Sequence, residues 1–311
     1  MLFMWMPCTD AHAAELLIPG GQVIGIQIQS DVLTVAAYDD ALCGHAQRAG
    51  LRIGDEILSI NGRPVSCAED LRASLQDSST SVTLGIRRNE KSQTVKISPK
   101  HTDTGPRLGI YLKQGISGIG TVTWYDPATK AFGALGHGVN DAKGNPAAMI
   151  QGSAFSADVI SVRRGVSGEP GQLKGSADPH DLCGALLRNT PQGIFGTASR
   201  GWPGEPLPVA SFDEVKTGKA TIRSTVSGNS VQEYSVEILK IYPDARQDGR
   251  NFLLKVTDPA LLNTTGGIVQ GMSGSPVLQD GKIIGAVTHV LVNSPDTGYG
   301  IFIENMLEAA S

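Results

Sequence analysis

The chain has 311 residues and a formal net charge of -4 at pH 7, which is enough for about two domains of ordinary size. Hydrophobic residues make up 40% and charged residues 18% of it, close to the globular average, so the composition excludes a largely disordered chain. The basic pairs Arg87-Arg88 and Arg163-Arg164 stand alone, which argues against a surface for DNA or RNA.

Residues 1–15 are predicted to be a tail, or the remnant of a longer signal or membrane anchor. Met1 to Met6 are apolar, but Pro7 ends the run after six residues. A membrane-spanning helix needs about 20 apolar residues, and a signal peptide carries a basic segment that is missing here.

The next stretch, residues 16–98, is predicted to be one small α+β domain. Alternating β-branched residues predict strands over 23–28 and 32–37, and helical segments follow over 41–49 and 68–76. Asn61-Gly62 is a strong turn signal, and residues 82–97 have the pattern of a hairpin.

The run from Ala46 to Gly62, AQRAGLRIGDEILSING, resembles the PDZ domains attached to bacterial proteases. This resemblance implies a groove that binds peptide termini by strand addition. A glycine-rich loop upstream is expected to bind the terminal carboxylate through its backbone N–H groups, and Leu71 and Leu75 are expected to wall the groove or to belong to the core. The loop residues predicted to bind peptide are Gly20, Gly21, Gln22, Val23, Ile24 and Gly25.

Residues 99–107 are polar and turn-rich, and they are predicted to be the linker. Residues 108–311 read as many short strands divided by glycines, with a single helical segment at the end. Such spacing is typical of a sandwich or a pair of barrels rather than of βαβ units.

The sharpest motif is Gly271-Met272-Ser273-Gly274-Ser275-Pro276, which resembles the nucleophile loop of chymotrypsin-like serine peptidases. A nucleophilic serine on a tight turn directs backbone N–H groups at the oxyanion that forms during acyl transfer. Ser273 is therefore the predicted nucleophile, with the N–H groups of Gly271 and Ser273 as the oxyanion hole.

A serine hydroxyl needs a base, and His137 is the preferred candidate because glycine and alanine crowd it in the segment FGALGHGV. Small residues suit a position where a base approaches substrate and a neighbouring backbone. The competing candidate is His289, on a predicted strand soon after the serine, where a histidine is more often a packed residue.

Together, the PDZ-like run, ALGHG at 134–138 and TGGIVQGMSGSP at 265–276 resemble the SpoIVB peptidase family of spore-forming bacteria. The resemblance implies a mainly β fold, in which an N-terminal PDZ-like α+β domain precedes a chymotrypsin-like double β-barrel domain. It also implies that His137 is the base, Ser273 the nucleophile, and Asp258, of Val256-Thr257-Asp258, the residue that orients the base. The usual order in chymotrypsin-like folds leaves Asp141 and Asp158 as alternatives, and Asp258 also has the pattern of a turn cap before Pro259.

The same resemblance implies an endopeptidase of sporulation signalling, exported from the forespore into the space between two membranes. There it is expected to cleave a membrane-anchored regulator of an intramembrane protease, so that a late sigma factor is activated, and to cut its own N-terminus. A quality-control protease of the HtrA type and a non-catalytic PDZ scaffold are the alternatives. No cofactor or metal is implied, and the four cysteines are expected to be free thiols, although a Cys43–Cys67 bridge is conceivable.

Overall fold

The computed structural model describes residues 15–76, 80–141, 144–242 and 249–311. The predicted tail, apart from Glu15, lies outside the described residues. Most of the regular structure is β, and the described strands form two closed barrels, one separate larger sheet and one two-stranded hairpin. The predicted fold class, a PDZ-like domain with a double-barrel protease domain, is confirmed.

The chain begins with two strands, β1 (Leu16–Pro19) and β2 (Val23–Gln29). It then forms the PDZ-like domain, which has a short 3₁₀ helix at Asp40–Leu42. The strands and helices of that domain are β3 (Leu33–Tyr38), α1 (His45–Arg48), β4 (Glu56–Ile60), β5 (Arg63–Pro64), α2 (Ala68–Gln76), β6 (Val82–Arg88), β7 (Lys91–Ile97), β8 (Lys100–Thr102), β9 (Gly105–Arg107) and β10 (Ile110–Lys113).

The PDZ-like sheet has the strand order β10-β3-β4-β6-β7, with β5 beside β4. Its core is packed against α2, and it includes Leu33, Ile57, Leu71, Leu75 and Leu84. The predicted linker at 99–107 instead contains the hairpin of β8 and β9. Strand β10, which pairs with β3, also belongs to this domain, so the domain extends beyond the predicted boundary at residue 98.

The first barrel consists of β2 and of strands that follow the PDZ-like domain. These later strands are β11 (Ile116–Tyr125), β12 (Ala131–Ala134), β13 (Gln151–Arg163), β14 (Gln172–Thr190) and β15 (Gly193–Ala198), and β16 (Leu207–Pro208) lies outside the ring beside β1. The ring runs β2-β11-β12-β15-β14-β13 and back to β2.

Strand β2 was predicted to belong to the PDZ-like domain, and this assignment is wrong. It pairs antiparallel with β11, as in Ile28 with Ile116, and with β13, as in Ile26 with Ala154. The physical reason is burial, because Ile24, Ile26 and Ile28 pack in the core of the first barrel. The PDZ-like domain is thus inserted between two neighbouring strands of that barrel.

The second barrel is closed by the last six strands of the described chain, in the order β17-β18-β19-β22-β21-β20. A second 3₁₀ helix, Phe212–Glu214, precedes it. Its elements are β17 (Gly218–Ser224), β18 (Gln232–Ile241), β19 (Phe252–Val256), α3 (Pro259–Thr265), β20 (Pro276–Gln279), β21 (Lys282–Leu291), β22 (Ser294–Phe302) and α4 (Ile303–Ala310).

Candidate active site

The two residues predicted to carry the chemistry meet in a cleft between the barrels. His137 follows β12 of the first barrel and Ser273 precedes β20 of the second. Both line one cleft of about 480 Å³, together with Gly271 and His289. The structure therefore brings together residues that are more than 130 positions apart in the sequence.

The loop that carries His137 depends on its small residues, as the sequence predicts. Leu135 and Gly136 have φ values of +72° and +69°, a backbone region that favours glycine. A Cβ atom at Gly136 would lie 2.9 Å from Cγ2 of Thr288, and one at Gly138 would lie 2.7 Å from the backbone oxygen of Thr190. These close approaches hold His137 against both barrels.

The tautomer of His137 follows from one hydrogen bond. Its Nδ1 atom lies 2.9 Å from the backbone oxygen of Gly138. A carbonyl oxygen only accepts, so Nδ1 carries the hydrogen and Nε2 keeps the lone pair that a base needs. Burial lowers the pKa of His137, an effect that the Gly138 hydrogen bond partly opposes. The ring is therefore neutral at neutral pH.

The loop that carries Ser273 is fixed by β11 of the other barrel. Thr121 donates from its N–H to the oxygen of Ser273 (3.1 Å) and from its Oγ1 to the oxygen of Gly271 (2.8 Å). Thr123 donates from its Oγ1 to the oxygen of Gly274 (2.8 Å). Gly271 and Gly274 have φ values of +100° and +95°. These bonds make the loop a rigid support for the nucleophile.

The predicted oxyanion hole is consistent with the hydrogen bonds of this loop. The N–H of Met272 donates to Val269 and that of Gly274 donates to Val287. Within the described parts of the chain, the N–H groups of Gly271 and Ser273 make no hydrogen bond. The N–H group of the nucleophile itself and that of Gly271 therefore remain available for a developing oxyanion.

The hydroxyl of Ser273 is directed away from the base in this arrangement. Its Oγ donates to the backbone oxygen of Thr288 at 2.9 Å, and no hydrogen bond among the described residues joins it to His137. The ring of His289 lies beside that of His137, with 5.6 Å between the ring centroids. The sequence pattern indicates His289 only as a competing base and does not indicate its place beside His137.

Asp258 is not among the residues that line this cleft. It is the N-cap of α3, where its Oδ1 accepts from the N–H groups of Ala260 (2.9 Å) and Leu261 (3.1 Å). Its Oδ2 accepts from the N–H of Ser235 at 3.3 Å. Because its carboxylate is engaged by backbone amides of α3 and β18, the structure supports the capping role and not the orienting role implied by the resemblance.

The alternative aspartates do not line the cleft either. Asp141 accepts a hydrogen bond from the N–H of Asn145 at 3.0 Å, within an exposed turn. Asp158 lies on β13 with its side chain exposed. Among the described residues, the only hydrogen-bond acceptor shown for Nδ1 of His137 is the Gly138 carbonyl.

The predicted peptide-binding loop has a different role. Residues 20–25 lie at the start of the first barrel, and a Cβ at Gly20 would lie 2.3 Å from the backbone oxygen of Val122. A Cβ at Gly25 would lie 2.3 Å from the Cβ of Ala177. The glycines permit close strand packing, and Val23 and Ile24 are buried in the barrel cores. The prediction that this loop binds a carboxylate in a PDZ groove is therefore wrong.

The groove of the PDZ-like domain lies instead between α2 and the edge strand β10. Leu71 and Leu75 of α2 line it, as predicted, and both are also buried in the domain core. The facing side is the segment Arg107 to Leu112, in which Gly109 has a φ of +79°. In the described sheet β10 pairs with β3 alone, which leaves its other edge able to accept an added strand.

The described residues include no cluster of three or more His, Cys, Asp or Glu side chains arranged to hold a metal ion. Cys43, Cys67 and Cys183 are free thiols, so Cys43 and Cys67 are not bridged, and Cys8 lies outside the described residues. In the part of the chain that is described, no helix is both long and apolar enough to span a bilayer.

Comparison with known families gives two matches. Residues 105–307 match the family SpoIVB peptidase S55, and residues 44–88 match the PDZ domain family. The first match covers more than half of the chain and includes both His137 and Ser273.

Individual relatives are more distant. A DegP-like periplasmic serine endoprotease of Pseudomonas fluorescens is 28% identical over 136 residues, 40% of this chain and 28% of the relative. A zinc metalloprotease of Rhizobium meliloti is 29% identical over 100 residues, 32% of this chain and 26% of the relative. The chain thus spans about a quarter of the length of these curated relatives.

Two solved structures are similar at low identity. The Rv3671c protease of M. tuberculosis in its active form is 16% identical, with a TM-score of 0.34 and coverage of 63% of this chain and 73% of that one. The HtrA-type protease AlgW is 14% identical, with a TM-score of 0.35 and coverage of 68% and 59%.

Proposed function

The chain belongs to the SpoIVB peptidase S55 family, and on that premise we propose that it is the serine endopeptidase of a sporulation signalling step. The observation that supports the proposal most directly is the meeting of His137 and Ser273 in one cleft, within a chain segment that matches the family. Serine peptidase activity itself follows from the family and from this pair of residues.

The chemistry needs only groups that the cleft already contains. Nε2 of His137 takes the hydrogen of the Ser273 hydroxyl, Oγ attacks the scissile carbonyl, and the N–H groups of Gly271 and Ser273 receive the oxyanion. The hydroxyl must first leave the oxygen of Thr288. Protonated His137 then gives its hydrogen to the leaving amine, and a water molecule repeats the sequence on the acyl-enzyme.

The physiological substrate that we propose is a membrane-anchored regulator of an intramembrane protease. The enzyme acts on it after export from the forespore, in the space between two membranes, and the cleavage relieves inhibition of the intramembrane protease, so that a late sigma factor is activated. We also propose that the enzyme cuts its own N-terminal segment. These roles are supported by membership of the family, whose name refers to sporulation.

Peptide termini are the proposed ligands of the groove between α2 and β10. A physical route from this groove to the nucleophile exists, because β10 continues through Gln114 and Gly115 into β11, which holds the Ser273 loop. Gln114 donates from Nε2 to the backbone oxygens of Ser30 (3.0 Å) and Ser66 (2.9 Å), so the junction is tied to the PDZ-like domain. A peptide on β10 can therefore influence the position of β11.

The test is complementation of a spore-forming bacterium that lacks its own member of the family. Wild-type protein and Ser275→Ala are expected to restore a reporter of the late sigma factor, and Ser273→Ala is not. The same cells should contain a shortened form of the wild-type chain that is absent for Ser273→Ala. A wild-type chain that cleaves peptides in vitro but leaves the reporter silent would refute the sporulation role and retain the peptidase.

An HtrA-type quality-control role predicts a different outcome. Such an enzyme degrades unfolded casein broadly, whereas a signalling peptidase is expected to cut few proteins. A non-catalytic scaffold would not react with a fluorophosphonate at all.

A further inference from the structure

The cleft beside the catalytic pair has an apolar wall that the mechanism does not use. The aliphatic residues of its lining are Ile26, Ile116, Ile119, Leu135 and Val139. The aliphatic members come from β2, from β11 and from the two sides of His137. No aspartate, glutamate, lysine or arginine of the described chain lines this space, so it suits an apolar side chain.

The chemistry decides which half of a substrate lies against this wall. After Ser273 attacks, His137 must protonate the amine that leaves, so the residue after the scissile bond has to lie on the His137 side of the serine. Leu135 and Val139 lie two positions before and after His137 in the chain, and both line the same cleft. The part of the wall that these two residues form is therefore placed for the leaving half of the substrate.

Two glycines beside the wall, Gly120 and Gly271, leave the space that its aliphatic side chains occupy. A Cβ at Gly120 would lie 2.1 Å from Cδ2 of Leu135 and 2.9 Å from Cδ1 of Ile26. A Cβ at Gly271 would lie 3.3 Å from Cδ1 of Ile119. Ile119 is thus packed directly against the oxyanion loop, and it remains partly exposed to the cleft.

We propose that this cleft is the subsite for the residue that directly follows the scissile bond, and that it selects an aliphatic side chain through contact with Ile119. The proposal depends on the serine peptidase activity of His137 and Ser273. A hydrophobic pocket discriminates between aliphatic and charged side chains because a charge buried there has no partner. Cleavage before leucine, isoleucine, valine or methionine is the expected outcome.

The experiment maps the new N-termini that the enzyme creates in a peptide library made from a bacterial proteome, by mass spectrometry. For the wild type, aliphatic residues at the new N-terminus should exceed aspartate and lysine by at least about tenfold. An equal distribution, or an aliphatic preference confined to the residue before the cut, would overturn the proposal. Labelling with a fluorophosphonate is measured in parallel.

Two variants test the residue itself. The Ile119→Asp enzyme should lose the aliphatic preference and gain cleavage before lysine and arginine. The Ile119→Ala enzyme has only a larger space at this position, so its preference should shift towards phenylalanine. Ile160→Asp, on an exposed isoleucine of β13 (71% exposed), is the matched control and should retain the wild-type profile. If Ile119→Asp does not fold, Ile119→Ala decides, since an unchanged profile in that variant would exclude Ile119 as the selecting residue.

Fluorophosphonate labelling distinguishes failure of the subsite proposal from failure of the peptidase activity on which it depends. A wild-type chain that is labelled at Ser273 but shows no preference refutes the subsite and leaves the peptidase intact. A chain that is neither labelled nor active refutes both.

Discussion

The hydroxyl of Ser273 donates its hydrogen to the backbone oxygen of Thr288, 2.9 Å away, and so it cannot donate to His137 at the same time. The hydroxyl must therefore leave the oxygen of Thr288 before the base can take that hydrogen. Catalytic hydrogen bonds often tighten only when substrate is bound, so the arrangement describes the enzyme between turnovers.

The first prediction concerns the nucleophile. Ser273→Ala should reduce peptide cleavage by at least about a thousandfold, because the residue that forms the acyl-enzyme is lost, and fluorophosphonate labelling should disappear. Ser275→Ala is the matched control, since the Ser275 hydroxyl is buried and bonded to Ser224 (3.0 Å). A labelled Ser273→Ala protein would show that another residue is the nucleophile.

The second prediction concerns pH. Burial lowers the pKa of His137 below its ordinary value of 6.5, so the neutral, basic form persists to lower pH. The kcat/KM for a peptide should therefore stay constant from neutral pH to below 6.5 and fall only as the pH drops through the lowered pKa. A pH profile in which the acid limb lies above 7 would contradict this assignment.

The third prediction separates the two adjacent histidines. His137→Ala should lose about 10²–10⁴-fold in kcat, the typical contribution of a general base. His289→Phe, which keeps a ring beside His137 and cannot act as a base, should retain most of kcat. Inactivity of His289→Phe together with activity of His137→Ala would reverse the assignment.

The fourth prediction concerns Asp258. As the N-cap of α3, it should tolerate Asp258→Asn, because asparagine caps helices as well as aspartate does. Asp258→Ala should lower the free energy of unfolding by about 1 kcal/mol, measured by urea denaturation, and kcat should change little in both variants. A loss of kcat near 10⁴-fold in the folded Asp258→Asn protein is the result expected of an orienting aspartate, and it would restore that role.

The fifth prediction concerns the groove of the PDZ-like domain. Leu71 is 4% exposed and belongs to the core, so Ala68→Trp is a better way to fill the groove. This variant should weaken peptide binding, measured by fluorescence anisotropy, and slow the cleavage of a docking protein substrate while a short peptide is cut normally. Glu69→Trp, at an exposed neighbour outside the groove lining, should change neither. An equal loss of cleavage for the docking protein and the short peptide would indicate that the PDZ-like domain is a structural support.

The sequence predicted the parts of the site that depend on local pattern. The loops of His137 and Ser273 were identified because glycines at particular positions are a local requirement of a base and a nucleophile at a close approach. Asp258 was harder to interpret, since an aspartate before Pro259 has the same pattern whether it caps a helix or orients a histidine. Only its hydrogen bonds to Ala260 and Leu261 distinguish the two.

The error over residues 16–29 has a different physical cause. The pattern of residues 23–28 predicts a strand, but the partners of this strand lie in β11 and β13, far along the chain. Strand pattern shows that a segment pairs and does not show with which segment. Residues 20–25, which their position in the sequence alone assigns to the PDZ groove, therefore belong to the first barrel instead.

The insertion of a whole domain between β2 and β11 has a consequence for folding. These strands pair as directly as the arms of a hairpin, as in Ile28 with Ile116, yet the PDZ-like domain lies between them in the chain. A flexible connection as long as this domain would cost on the order of 4 kcal/mol of conformational entropy when the two strands pair. A folded insert whose two ends are adjacent removes most of this cost. The PDZ-like domain is thus expected to fold first and act as a template for closure of the first barrel. A deletion from the N-terminus that removes the PDZ-like domain also removes β1 and β2 of the catalytic part. A catalytic unit that folds by itself therefore requires excision of residues 30–115 and a short turn from Gln29 to Ile116.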